Sequence, residues 1–236
     1  MTSIPRPPNH LLQALPAAEF EALRPRLQQV ELVRENVLVE AGARLTHVYL
    51  PNSGAISVMV QLAEGQAVEV AMIGRDNVLS ACAALDDGIA LTDAVVLLPG
   101  MASVIDVSAL REVSLRSEVL RNLLARHEQA LFVQAQQSAA CNASHTVEAR
   151  LSRWLLRARD LCNSETLPLT QELLAQLIGV QRNAVSIVAH ALQRAGIIRY
   201  SRGHIDIKNA EGLRETSCEC YDMVKIQHQR LLNVPY

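Results

Sequence analysis

The residues best suited to chemistry lie between Leu169 and Lys208. Val185, Val188 and Leu192 mark the inward face of a helix over roughly 181–194, which turns Gln181, Arg182, Asn183, Ser186 and His190 outward. In the major groove of a duplex, Arg bonds bidentately to guanine and Asn to adenine, while Gln and a helix N-terminus suit a phosphate oxygen. With Gln171 as position one, Leu174 and Ile178 fall at four and eight, Ala175 at five, Gly179 at nine, Val185 at fifteen and Val188 at eighteen. Two short helices crossing steeply need that order: a small residue at five for close approach, a glycine at nine for a sharp turn, aliphatics for the shared core. Thr170 suits the N-cap of the first helix. Beyond Gly196, Ile198 and Tyr200 alternate with Arg199 and Ser201, Arg202-Gly203 turns, and Ile205 and Ile207 return. This is a β-hairpin carrying Arg199, Arg202, His204 and Lys208 toward a nucleic-acid backbone. The pattern predicts a winged helix-turn-helix that contacts double-stranded DNA through Thr170, Gln181, Arg182, Asn183, Ser186, His190, Arg199, Arg202 and His204.

Other reactive residues give weaker signals. Cys82, Cys141 and Cys162 are isolated, and the odd total of five cysteines does not suggest a disulfide framework. The chain has no Cys-x-x-Cys pair, so a zinc ribbon or iron–sulfur cluster has no such motif behind it. Cys218-Glu219-Cys220 with His228 invites a metal or redox reading, but sulfurs at i and i+2 point to different faces of a helix. Thiols on a packing helix are expected, with cysteine-based redox sensing as the alternative. His47 has only scattered carboxylates around it in the sequence, Glu40, Glu64 and Glu69, which do not make a barrel metal site. No nucleophile–base pair or phosphate loop is visible. The expectation is therefore no enzyme, no metal and no cofactor.

The elements that must hold these residues follow from periodicity. Val37 and Val39, Val48 and Leu50, Ile56, Val58 and Val60, and Val68 and Val70 recur at every second residue, punctuated by Gly42, Gly54, Gly65 and Gly74. Ala94 to Leu98 adds a buried strand and Ser103 to Val107 a candidate for another, which together predict an antiparallel sandwich or barrel. Helical spacing then returns. Leu110, Leu115, Val119, Leu120, Leu123, Leu124, Leu131 and Phe132 fit one long helix over about 108–141. Leu120, Leu124, His127, Leu131 and Ser138 form a seam along it. That seam suits a dimer, since a helix of roughly 30 residues outruns a small barrel; packing on its own sheet is the alternative. A boundary at 145 divides a strand-rich unit, 1–145, from a helix-turn-helix unit, 146–236.

Composition supports the division. The 236-residue chain is 50% hydrophobic with a net charge of −2, which by itself advertises no nucleic acid. Residues 1–145 carry 10 basic and 15 acidic side chains, and residues 146–236 carry 12 and 9, so −2 is a cancellation of −5 against +3. Aromatics at 3% argue against single-strand binding by base stacking, though not against a major-groove reader. No apolar run reaches the ~18–20 residues of a membrane span. Pro5, Pro7 and Pro8 interrupt any signal-like region, so a cytoplasmic protein without membrane contact is expected.

These motifs resemble the Crp/Fnr family of bacterial transcription regulators over nearly the whole chain. Gly42, Val48-Tyr49-Leu50, Ser53-Gly54 and Ile73-Gly74 are similar to the family's β-roll; Thr170-Gln171-Glu172-Leu173-Leu174-Ala175 and Gly179-Val180-Gln181-Arg182 are similar to its winged helix-turn-helix. The resemblance implies an α+β fold with a jelly-roll-like β-roll sensor, a long dimerisation helix and a C-terminal DNA-binding domain. It further implies a homodimer on a palindromic operator, RNA polymerase as a partner, and a small-molecule effector near Gly74, Arg75 and Thr92. The departures matter as much. Where cyclic-nucleotide-binding members carry Gly-Glu and an Arg-Ser/Thr-Ala segment, this chain reads Gly74-Arg75-Asp76-Asn77 and Leu91-Thr92-Asp93-Ala94. With no Arg for the phosphate, and with Asp86, Asp87 and Asp93 nearby, the expected effector is not a cyclic nucleotide, or is absent. A rebuilt nucleotide pocket is the alternative. No cysteine precedes Cys82, so the N-terminal cluster of the Fnr-type oxygen sensors is missing.

Overall fold

The computed structural model describes residues 6–63, 65–85, 88–201 and 203–232. Two short helices, α1 (His10–Ala14) and α2 (Ala17–Leu23), lead into strands β1 (Gln28–Leu32), β2 (Val37–Val39), β3 (His47–Pro51), β4 (Ala55–Gln61), β5 (Ala67–Ile73), β6 (Asp93–Leu98) and β7 (Gly100–Asp106). They form two antiparallel sheets, ordered β1-β7-β3 and β2-β6-β4-β5. The alternating valines and isoleucines meet between them: Leu32, Ala102 and Val104 from one sheet pack with Ile56, Val58, Ile73 and Val96 from the other. Gly54 makes the tight entry to β4 at φ +76°, where a Cβ would lie 2.6 Å from the Leu98 carbonyl oxygen.

The helix predicted over about 108–141 is two helices, α3 (Val107–Arg116) and α4 (Glu118–Ser144). Ser117 adopts an extended backbone (φ −126°, ψ 107°), and its side chain accepts from the Leu120 N–H, which makes it the N-cap of α4. The break lets Leu110 and Val113 fold into one cluster with Leu120, Leu123, Leu124 and the N-terminal helices. It also corrects the expected seam. Leu120, Leu124, His127 and Ser138 are buried inside this chain, and Leu131 packs against the sheet core. The three leucines of that stripe are taken by the chain's own sheets and N-terminal helices. The outward face instead carries Val119, Ala125, Phe132 and Ala139, continuing the exposed Leu115 of α3, with Phe132 63% exposed.

After the extended residue His145, Thr146 caps α5 (Val147–Cys162). The chain continues through β8 (Thr166–Leu167), α6 (Gln171–Ile178), α7 (Arg182–Arg194), β9 (Ile198–Ser201), β10 (His204–Ile207), α8 (Ala210–Glu215) and α9 (Cys220–Leu232). Leu151, Trp154, Leu155, Leu174, Val185, Leu192 and Ile205 build one core, which extends without interruption into Ala55, Met59, Ala67, Met72 and Leu97 of β4, β5 and β6. The outer face of the larger sheet is thus a floor for α5 and α6, and α9 lies along α4.

A buried ionic group pins this closed arrangement. Arg157 of α5 meets Asp76, in the loop after β5, at 2.6 Å and also donates to the Met72 carbonyl at 3.1 Å. His228 of α9 stands 3.5 Å from the same carboxylate. Burial opposes ionisation of Asp76, but the Arg157 guanidinium, and then His228, outweigh it and hold the carboxyl far below its usual range. Removing one partner leaves the other as an uncompensated buried charge. Asp76→Ala is therefore expected to cost roughly 3–5 kcal/mol, a fall in Tm of about ten degrees in a thermal melt near neutral pH. A change of a degree or two would show that the pair does not hold the units together.

Candidate nucleic-acid interface

Thr170 Oγ1 accepts from the Leu173 N–H at 3.1 Å and caps α6. At the other end of α6, Gly179 turns left-handed (φ 65°), and the Val180 N–H closes back on the Ala175 carbonyl at 2.9 Å. Arg150 of α5 donates to the Ile178 carbonyl, one of the acceptors a helix C-terminus leaves open. The chain then enters α7 through Gln181, whose side chain makes no cap bond and so leaves the first turn of α7 without a side-chain acceptor from its N-cap.

Val185, Ala189 and Leu192 anchor α7 inward. Gln181, Arg182, Asn183 and His190 are exposed on the outer side, as the spacing predicts. Arg182 stands 3.4 Å from Glu172, but both side chains are about two-thirds exposed or more (66% and 72%), so the pair is weak and readily given up. Ser186 departs from the expectation. It is half-buried and donates to Gln171 Oε1 at 2.6 Å, bracing α7 against α6 rather than facing out. Ile187, which is not among the expected contacts, is 71% exposed in the middle of the same face.

The wing forms as a hairpin, with His204 paired to Ser201 and Ile207 to Ile198. Gln193 Oε1 accepts from the Tyr200 N–H at 2.9 Å and ties the wing to α7. Arg199 and His204 are exposed; Arg202 lies outside the described residues.

Residues 149–216 match the family model described as a Crp-like helix-turn-helix domain. This segment is a Crp-like helix-turn-helix domain. No curated protein sequence matches the chain significantly. Solved structures do match along most of its length. FixK2 from Bradyrhizobium japonicum is 16% identical, covers 81% of this chain and 98% of its own, and superposes with a TM-score of 0.68. The c-di-GMP-responsive global regulator CLP of Xanthomonas campestris gives 15%, 81%, 99% and 0.66. A Crp/Fnr-family regulator from Thermus thermophilus gives 19%, 80%, 98% and 0.64. The chain has the Crp/Fnr-type regulator fold, with strand-rich N-terminal sheets, a long helix and the Crp-like domain.

The expected effector positions do not converge. Gly74 is pressed against α5, where a Cβ would lie 2.6 Å from Leu161 Cδ2. Arg75 lines a polar cleft of about 420 Å³ between the units, with His10, Arg159, Asp160, Glu165 and Lys225. Thr92 lies at the other end of the sheet: Ile56 of β4 pairs with Ile73, whereas Met59 pairs with Asp93. The separation along the strands is on the order of 15 Å. Asp86 and Asp87 lie outside the described residues.

Two polar sites sit where the Crp-like domain meets the rest of the chain. In the first, Glu69 of β5 accepts from Trp154 Nε1 at 2.7 Å and from Ser57 Oγ at 2.6 Å. In the second, Cys141, His145, Cys218 and Cys220 gather beside the junction of α4 and α5. Sequence spacing groups Cys218 and Cys220 with His228 and points to no metal site. Here His228 serves Asp76, and Cys218 precedes α9 rather than lying within it.

Burial pushes the Glu69 carboxyl up to about 7, against the hydrogen bonds from Ser57 and Trp154. The folded chain thus keeps a proton that the unfolded chain has released. The contribution of Glu69 to stability is full below its unfolded value of 4.5 and is lost as the pH rises through 7. His127 works in the opposite direction: burial holds it down to about 3, so its contribution is present above 6.5 and is lost as the pH falls. Glu69→Gln removes the first effect and leaves the second. Its stability should exceed the parent's by roughly 1–3 kcal/mol above pH 7, with the difference vanishing toward about pH 4.5. Parallel Tm profiles across that range would contradict the assignment.

Proposed function

We propose that this chain is a homodimeric transcription regulator that binds a two-fold operator in double-stranded DNA, with RNA polymerase as its partner at the promoter and without a cyclic nucleotide as effector. The observation that carries the proposal is the outer face of α7. Arg182, Asn183, Ile187 and His190 form one exposed strip on a Crp-like helix, beside an uncapped N-terminus and a wing that presents Arg199 and His204. Arg182 suits a guanine, Asn183 an adenine, and the exposed Ile187 the methyl group of a thymine. Thr170, Gln181, Arg199, Arg202 and His204 suit the phosphates, which position the domain without specifying sequence.

Selection of bound sites from random duplex DNA tests this reading. The expected result is a two-fold site with half-site centres about one helical turn apart; recovery of unrelated sequences would overturn it. Arg182→Ala should cost about 1–3 kcal/mol and relax the preference at one base pair per half-site. Arg199→Ala should weaken binding to all sequences alike and lower the salt slope by about one.

Dimerisation is proposed through the outward face of α4, not the buried seam. Val119, Asn122, Arg126, Gln129, Val133, Gln136, Ala140 and Ala143 repeat at alternating steps of three and four, flanked by Ala125, Phe132 and Ala139. That is the 3.5-residue period of a two-helix seam, and the small residues toward its C-terminal end allow close approach. Phe132 is the largest exposed side chain along it. Phe132→Glu should shift the protein to monomer in light scattering at micromolar concentration while the melting temperature of the fold changes little. A persisting dimer would exclude this face.

A further inference from the structure

The cluster of Cys141, His145, Cys218 and Cys220 has no part in reading DNA, yet its geometry is that of a coordination site. Cys141 lies in the last turn of α4 and His145 is the extended residue that caps it, with the His145 N–H closing on the Cys141 carbonyl at 3.0 Å, which keeps the two residues at the same end of the helix. Cys218 ends the turn before α9, and Cys220 is the first residue of that helix. With Cys218 outside the helix, the i, i+2 spacing no longer sends the two sulfurs apart. One donor atom from each of the four residues falls within 4.8 Å of all the others. Cys141 Sγ and Cys218 Sγ are 3.5 Å apart, and Cys220 Sγ and His145 Nδ1 are 3.6 Å apart. A tetrahedral ion with metal–sulfur bonds of about 2.3 Å and a metal–nitrogen bond of about 2.0 Å requires edges of roughly 3.8 and 3.5 Å.

The surroundings fit ligation as well. Glu219 stands 3.3 Å from His145 Nε2, an arrangement that keeps the proton on Nε2 and turns the Nδ1 lone pair toward the sulfurs. Gln137 Nε2 donates to Cys220 Sγ at 3.0 Å, the kind of bond that steadies a thiolate ligand. All three cysteines are free and buried, so four protein donors would close the site. Three thiolates on a divalent ion leave a net charge of −1, and the Arg153 guanidinium near Cys141 offsets it.

We propose that Cys141, His145, Cys218 and Cys220 bind one tetrahedral divalent ion of the zinc class. The ion is structural. It fastens the start of α9 to the end of α4, across the junction His145–Thr146 where the chain turns from the long helix into the Crp-like domain. A soft, three-thiolate set with one imidazole selects zinc over magnesium, calcium or manganese, which take oxygen ligands.

The test begins with the metal content of the purified full-length chain, kept reduced throughout. Elemental analysis should give close to one zinc ion per chain, and replacement by Co²⁺ should produce the strong thiolate-to-cobalt absorption of a tetrahedral site. Cys218→Ser and His145→Ala should lose the ion. His145→Cys, which restores a fourth donor, should retain it, as should Cys82→Ser and Cys162→Ser. This series separates a lost ligand from a lost fold. A strong chelator should lower the melting temperature of the parent and leave that of His145→Ala unchanged. The proposal is overturned if the folded, reduced protein carries no metal and gives no cobalt spectrum on stoichiometric addition.

Discussion

The ion pair between Asp76 and Arg157 sets how the two halves of the molecule sit together. Both side chains are about 95% buried, and each is tolerable in the interior only because of the other. Asp76 sits in the loop that leaves β5, Arg157 in the middle of α5, and His228 on α9 closes the group from a third side. A hydrophobic floor would let α5 slide across the sheet at small cost, because apolar packing is not directional. A buried charge matched by partners on two helices, Arg157 and His228, is directional and restricts the register. The position of the Crp-like domain over β4 and β5 therefore rests on this pair, and the apolar core fills in around it.

The same pair changes the meaning of the loop after β5. In relatives that bind a cyclic nucleotide, the resemblance places an acidic ligand contact in this stretch. Here Gly74 lies against Leu161, and Asp76 is committed to Arg157. A ligand shifts an equilibrium only through a difference in its interactions with the two states. The polar groups that remain beside the junction are Arg75, which lines a polar cleft, and Glu69, which meets Trp154.

The legible parts of the sequence were those governed by short-range periodicity. Alternating valines marked the strands, and the positions of Ala175, Gly179 and Val185 marked the helix-turn-helix. The failures have one physical origin, which is that sequence spacing does not say what an element packs against. Leu120, Leu124 and Leu131 do form a stripe, but the chain's own sheets and N-terminal helices claimed it, leaving Val119, Phe132 and the alanines to the outside. Ser117 breaks the helix because its hydroxyl caps the next one, a role that apolar spacing does not register. Ser186 has the phase of an outward residue, yet it lies close enough to Gln171 to be drawn into the helix–helix contact. Cys141 and Cys218 stand 77 residues apart, and Asp76 and Arg157 similarly distant, so only the folded chain brings either pair together.

Helix α9 joins these features. It supplies His228 to the ionic group and Cys220 to the thiol cluster, and it lies along the inward side of α4. Its two anchors differ in chemistry: a charge pair that depends on protonation and a donor set that depends on reduced thiols. They grip α9 about two helical turns apart, at Cys220 and at His228, so loosening one leaves the helix held by the other. α5 packs against both α9 and α7, so the anchors on α9 bear on how α7 lies relative to α4. A dimer built on the outer face of α4 would inherit that orientation twice, and the spacing of its two recognition helices would be set by how α9 is fastened rather than by the β-sheets alone.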